Sequence, residues 1–312
     1  MQAWRLQTKP SSGNNIDYCL KNQIAAIGWS LGELSREERE ECRDFSVYLA
    51  RAKEIYKGDS FKTCLSCVTA LHDRIKPGDY IWMRSGRTFY LARVDEQSEW
   101  RFCPDEEATR LDSCNQLTNL RWYPYGKIES DIPGALYTAF IRGKTVQRIG
   151  KSGIETFTAL LYDRLAGTHF ADGRTVEQAE ETFYTLLSPS DCEDLLCLWL
   201  YKTYGYVCIP STCKMSTKLY ECELINPENG GRIFVQAKNS GDVIDAAPYA
   251  ALPGEVWFLT TKGTVADAGR YPQMHIAAPA ELYAFALSED ASRLLPDSIK
   301  TWLELLRAGW KR

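Results

Sequence analysis

Apolar and polar positions alternate along some stretches of the chain and recur every three to four residues along others. The changes of period divide it into elements. Residues 3–8 (AWRLQT) read as a short edge strand, followed by a turn-rich run at 9–15 (KPSSGNN). Residues 17–29 (DYCLKNQIAAIGW) predict a short helix leading into a buried strand, IAAIGW. The charged stretch that follows has helical spacing. Ser35 with Glu38 three residues on forms a capping box, so a helix starts there. A second helix is expected over 61–73. The period then changes: KPGDYIWMRSGRTFYLARVD reads as a hairpin with strands 79–84 and 88–95 around a Ser85-Gly86 turn. SEWRFC and LRWYPYGKI supply two further strand-like runs.

In the second half, 152–165 and 175–187 are helical by pattern. Residues 188–204 predict a strong helix capped by Ser188 or Ser190, with acids in its first turn. Its apolar face is Leu195, Leu196, Trp199 and Leu200, and Gly205 stops it. Strands are expected at 206–210, 219–225 and 232–238, with an ENGG turn between the last two. DAAPYAAL looks helical, EVWFLTT reads as a buried strand, and 274–277 as a short one. Helices at 279–287 and 297–308 close the chain. This order predicts an α/β fold (α+β overall). A β-rich domain spans 1–148, a helical connector 149–187 and an α/β domain 188–312.

Composition narrows the classes. Of 312 residues, 45% are hydrophobic and 25% charged, with a net charge of −4. That excludes a disordered, collagen-like or wholly basic DNA-coating chain. Residues 1–150 carry 22 basic and 20 acidic side chains; 151–312 carry 15 and 21. The first half therefore suits phosphate better, and the second needs a metal ion or a locally basic groove to approach it. No apolar run is long enough for a membrane helix, and the start has no signal-peptide core, so a cytoplasmic protein is expected. The eleven Cys are then mostly reduced, and their irregular spacing fits a disulfide framework poorly. Cys64-Leu65-Ser66-Cys67 is a single CxxC without a partner pair, and reads as core thiols. Nucleotide-binding glycine motifs and zinc-hydrolase motifs are absent.

The informative chemistry lies in LYECELINPENGGRIFVQAK. On a strand, Glu221 and Glu223 share one face, although strands deplete Glu. Gln236 and Lys238 share a face at the end of an otherwise apolar strand. Carboxylates, an amide and a Lys meeting across two strands can hold Mg²⁺ or Mn²⁺ and orient a water against a phosphate. Glu193, in the first turn of the preceding helix, is a further candidate. A strand Glu facing a Lys is, equally, the ordinary form of a surface ion pair.

With these residues in place, the segment resembles the nuclease core of the PD-(D/E)XK superfamily, most of all its Mrr-like restriction endonuclease branch. That core runs helix, strand, hairpin, helix, strand. The branch often carries Gln at the first signature position, matched here by Gln236-Ala237-Lys238. The family's helix acid matches Glu193 in SPSDCEDLL. Its essential Asp falls on Glu221, a departure that lengthens the arm by one carbon, with Glu223 as a competing assignment. The resemblance implies metal ligation by Glu221, Gln236 and the Ala237 carbonyl, and a catalytic set of Glu193, Glu221, Gln236 and Lys238.

The first half has an opening W-R strand, an I-G-W strand end and an I-x-P-G-D turn. In these it resembles PUA-like modules of the EVE type. The resemblance implies a pocket for a modified, flipped base. Stacking walls and flanking cations would come from Trp29, Trp82 and Tyr90 with Arg84, Arg87 and Arg93; Trp100 and Trp122 are further aromatics. The expected function is a modification-dependent, Mg²⁺-requiring DNA endonuclease of the anti-phage type, a dimer or paired monomers for double-strand cutting. Two alternatives stay open. One is a PUA-like nucleic-acid reader with a degenerate nuclease fold. The other is a nuclease effector gated by a small nucleotide or a partner protein.

Overall fold

The computed structural model describes residues 1–7, 15–126, 131–141, 144–214 and 219–308; most of the turn-rich run at 9–15 lies outside them. The chain is mixed α+β and forms two compact units, one of residues 1–128 with 136–174, the other of 129–135 with 175–312. The expected boundaries at 148 and 187 are therefore not those of the structure. The span 149–187 is no separate connector. The helix Ile154–Ala166 belongs to the first unit, where Trp82 Nε1 donates to Thr158 Oγ1 at 3.1 Å. The helix Glu180–Leu186 belongs to the second, where Asn239 Nδ2 donates to Tyr184 O at 2.8 Å and Leu187 O at 3.0 Å.

The strands of the first unit are β1 (Ala3–Leu6), β2 (Ala25–Ile27), β3 (Tyr80–Ser85), β4 (Thr88–Arg93), β5 (Trp100–Phe102), β6 (Asn115–Leu117), β7 (Tyr123–Tyr125) and β8 (Val146–Arg148). Five form a sheet ordered β7-β4-β3-β1-β8, and three form a second ordered β2-β6-β5. β1 runs parallel to β3 and antiparallel to β8, so it is an interior strand and not the expected edge. All four of its residues are buried. Trp4 Nε1 donates to Asp79 Oδ2 at 2.9 Å, and Gln2 N donates to Asp79 Oδ1 at 2.8 Å. The W-R strand and the P-G-D turn thus lock together. The capping box at Ser35 is present and starts the helix Arg36–Glu41. The expected 61–73 helix spans Gly58–Thr69 and continues as a π-helical turn, Ala70–Arg74.

The strands of the second unit are β9 (Val207–Cys208), β10 (Cys222–Ile225), β11 (Arg232–Lys238), β12 (Val243–Asp245), β13 (Glu255–Thr260), β14 (Thr264–Ala266) and β15 (Met274–Ala277). The main sheet is ordered β15-β13-β11-β10-β9. β10 pairs antiparallel with both β9 and β11; β11, β13 and β15 run parallel. The helix Pro189–Tyr204 starts at a capping box made by Ser188 and Asp191 and ends at Gly205, whose φ of 75° favours a residue without a Cβ. It buries Cys192, Leu195, Leu196, Trp199 and Leu200. Between β11 and β13, DAAPYAAL forms a 3-10 turn, Ala247–Ala251, in place of the expected helix, with Pro248 in its first turn. β10 is shorter than the expected 219–225, since Glu221 precedes its first residue. Among the described residues no helix is long and apolar enough to cross a membrane.

Candidate active site

β10 and β11 pair with Cys222 opposite Val235 and Glu223 opposite Phe234. The regular ladder ends at Cys222; just before it Glu221 N donates to Val235 O at 2.8 Å, one residue out of that register. The Glu221 side chain nevertheless meets that of Gln236 beside the strand end. Gln236 Nε2 donates to Glu221 Oε1 at 2.6 Å, and Lys238 Nζ lies 3.4 Å from the same oxygen. Three residues singled out for spacing and type therefore meet at one carboxylate oxygen.

Burial grades across the group. Gln236 is 2% exposed, whereas the side chains of Glu221 and Lys238 are 31% and 46% exposed. The group thus opens to solvent at its charged end. At its buried end, Tyr249 OH donates to Gln236 Oε1 at 3.3 Å. Burial, then the nearby Glu221 charge, push the Tyr249 hydroxyl up to about 12, so it stays protonated as a donor. Asn239 holds the end of β11 in place through Tyr184 O and Leu187 O and accepts from Thr261 Oγ1 at 2.8 Å. Sequence reasoning missed both Tyr249 and Asn239. Tyr249 sat in a stretch read as helix; Asn239 directly follows the Gln236-Ala237-Lys238 signature, the one local cue to it.

The competing carboxylate is engaged elsewhere. Glu223 is buried and ion-pairs with Arg232, its diagonal neighbour on β11. Glu193 is half-buried and, as the fifth residue of the helix Pro189–Tyr204, stands just past the first turn expected for it; the acid of that turn is Asp191. Oxygen donors dominate the site. The Glu221 carboxylate and the Ala237 carbonyl both face Gln236 Nε2, which lies 3.2 Å from Ala237 O. A half-turn of the Gln236 amide presents Oε1 in place of Nε2. An all-oxygen set with one carboxylate suits a hard divalent cation such as Mg²⁺ or Mn²⁺.

The expected base pocket of the first unit does not assemble. The β3–β4 register pairs Trp82 with Leu91, Met83 with Tyr90 and Arg84 with Phe89. Trp82, Arg84 and Arg93 therefore share one face and Tyr90 takes the other. Trp82 is 0% exposed and bonded to Thr158, a core position rather than a stacking platform. The Arg84 guanidinium lies 5.0 Å from the Tyr137 ring centre, and that of Arg93 lies 3.8 Å from that of Phe170. Arg87 is exposed in the hairpin turn. Trp29, at a φ of 61°, packs with Tyr90, Trp100 and Trp122 against the main core. The physical reasons are burial, since the helix Ile154–Ala166 meets Trp82 through Thr158, and the two-residue pleat, which sends Tyr90 to the other face.

A different surface of this unit gathers cations. An open cavity of about 570 Å³ is lined by Ser66, Arg74, Lys144, Gln147 and Arg148, with buried Trp4 at its floor. Arg148 is paired with Glu155 at 3.1 Å, and Arg74 donates to Ser66 O at 3.0 Å. These residues are distant in the chain, so no local motif signals them. Comparison with family models, curated proteins and solved structures finds no match for the chain.

Proposed function

We propose that this chain is a modification-dependent DNA endonuclease of the PD-(D/E)XK type, with a PUA-like first unit and a nuclease second unit. The observation that carries the reading is the convergence of Glu221, Gln236 and Lys238 at the junction of β10 and β11. The element order of the second unit supports it: a helix, three antiparallel strands, then a parallel strand.

The roles follow from the geometry. Glu221 and the Ala237 carbonyl would hold the cation, with Gln236 Oε1 joining them after the amide turns. Bound there, Mg²⁺ would neutralise phosphate charge and acidify a water. Lys238 ends the strand with a solvent-facing ammonium and three donors, able to orient the attacking water and steady non-bridging phosphate oxygens. Tyr249 and Asn239 are positioning residues, acting through Gln236 and the strand end. In the first unit, the Arg74–Lys144–Arg148 cavity would hold phosphates of the bound DNA. Cutting both strands calls for a dimer or paired monomers.

A second reading rests on the same contacts. Glu221, Gln236 and Lys238 already satisfy one another, as an inert site in a nucleic-acid reader would. One assay separates the two. Protein and Mg²⁺ meet unmodified, methylcytosine-containing and hypermodified phage DNA. Cutting confined to one modified DNA is the expected result. Cutting of every DNA would retain the nuclease and remove the modified-base reader; binding without cutting of any would favour the inert site.

A further inference from the structure

Four of the eleven cysteines converge in the second unit from four elements. Cys197 comes from the helix Pro189–Tyr204, Cys208 from β9, Cys213 from the 3-10 turn Thr212–Lys214, and Cys222 from β10. The sulfurs of Cys197, Cys208 and Cys222 all lie within 4.8 Å of one another. Cys197 Sγ is 3.4 Å from Cys222 Sγ, and Cys213 Sγ is 3.6 Å from Cys208 Sγ. All eleven cysteines are free thiols. The six cysteines of the first unit and Cys192 of the second are buried. Cys64 on the CxxC helix meets the Tyr48 hydroxyl at 3.5 Å.

We propose that Cys197, Cys208, Cys213 and Cys222 bind one zinc ion in a closed structural site. A tetrahedral ion with Zn–S bonds of about 2.3 Å sets its sulfurs about 3.8 Å apart, close to the two measured separations. Soft thiolates select zinc over the hard cation suited to Glu221. Each cysteine releases its thiol proton to solvent and forms one Zn–S bond, so no electron is transferred. Four protein ligands leave no open position, which excludes a hydrolytic role for this ion.

The location gives the ion its purpose. Cys222 directly follows Glu221, and the strand alternation sends its side chain to the opposite face of the sheet, where it meets Cys197 of the helix. The ion ties that helix to β9 and β10, the edge of the sheet, and so fixes where Glu221 stands. The inference does not depend on the nuclease reading, because its test measures metal and not cleavage.

The full chain, purified without a metal-affinity tag, is analysed for metal by mass spectrometry. About one zinc per chain is expected, falling to near zero in Cys208→Ser and Cys213→Ser and unchanged in Cys64→Ser. Cobalt in place of zinc should give the visible d–d bands and near-ultraviolet charge transfer of a tetrahedral thiolate site. That readout decides the matter even where a serine variant fails to fold. A chain without bound metal would overturn the proposal. So would an intact mass short by the hydrogens of a disulfide, or iron accompanied by inorganic sulfide.

Discussion

Arg5 and Gln236 are both buried polar residues on interior strands of five-stranded sheets, and they engage their surroundings in different ways. Arg5, in the first unit, turns inward. It donates to Ala139 O, and its guanidinium lies 5.7 Å from the Phe140 ring centre. Burial pulls its pKa down. Gln236, in the second unit, reaches outward to a carboxylate that is partly exposed and shared with an exposed ammonium. An inward-facing polar group specifies packing. One that bridges a core to solvent-facing charges can exchange its partners for a ligand's without unfolding its surroundings. The base-pocket candidates of the first unit belong largely to the inward kind, with Trp82 the clearest case.

This contrast is breakable by substitution. Of the substitutions that probe the buried groups, the largest effect is expected from Gln236→Leu, which should slow cleavage about 10²-fold, roughly 2.7 kcal/mol in activation free energy, measured as plasmid nicking. Arg5→Met should leave nicking unaltered. Asn239→Ala frees the end of β11 and leaves two carbonyls and the Thr261 hydroxyl without their partner. It should cost about 2 kcal/mol of stability by urea denaturation. Trp82→Phe removes a buried hydrogen bond to Thr158, costs about 1 kcal/mol by the same measurement, and should not change DNA affinity. If it selectively abolished recognition of modified DNA, the core assignment of Trp82 would be wrong. The smallest effect is that of Lys144→Ala, a few-fold loss of DNA affinity with the salt slope reduced by about 1.

How far the chain was readable follows from how local each signal is. The 232–238, 274–277, 279–287 and 297–308 elements match the pattern to the residue, because period and punctuation agree there. β6 escaped notice because Asn115-Gln116 reads as loop. Both side chains are buried and bonded, Asn115 to Gly28 O and Gln116 to Ser113 O. The interior place of β1 was hidden because β8, the strand that covers it, is only three residues long. Glu221, Gln236 and Lys238 were found because neighbouring strands convert spacing directly into proximity. The cysteine cluster was missed because its members come from four elements and no CxxC joins them. Proximity there is made by the fold.

The central claim, a cation-dependent cut made at Lys238 and Glu221, is tested most directly by Lys238→Ala. The side chain is exposed and its ion pair with Glu221 contributes less than about 1 kcal/mol, so the variant should fold with unchanged stability. Nicking of DNA that the wild-type protein cuts in Mg²⁺ should fall by about 10²–10³-fold. Nicking at the wild-type rate by a fully folded Lys238→Ala protein would contradict it.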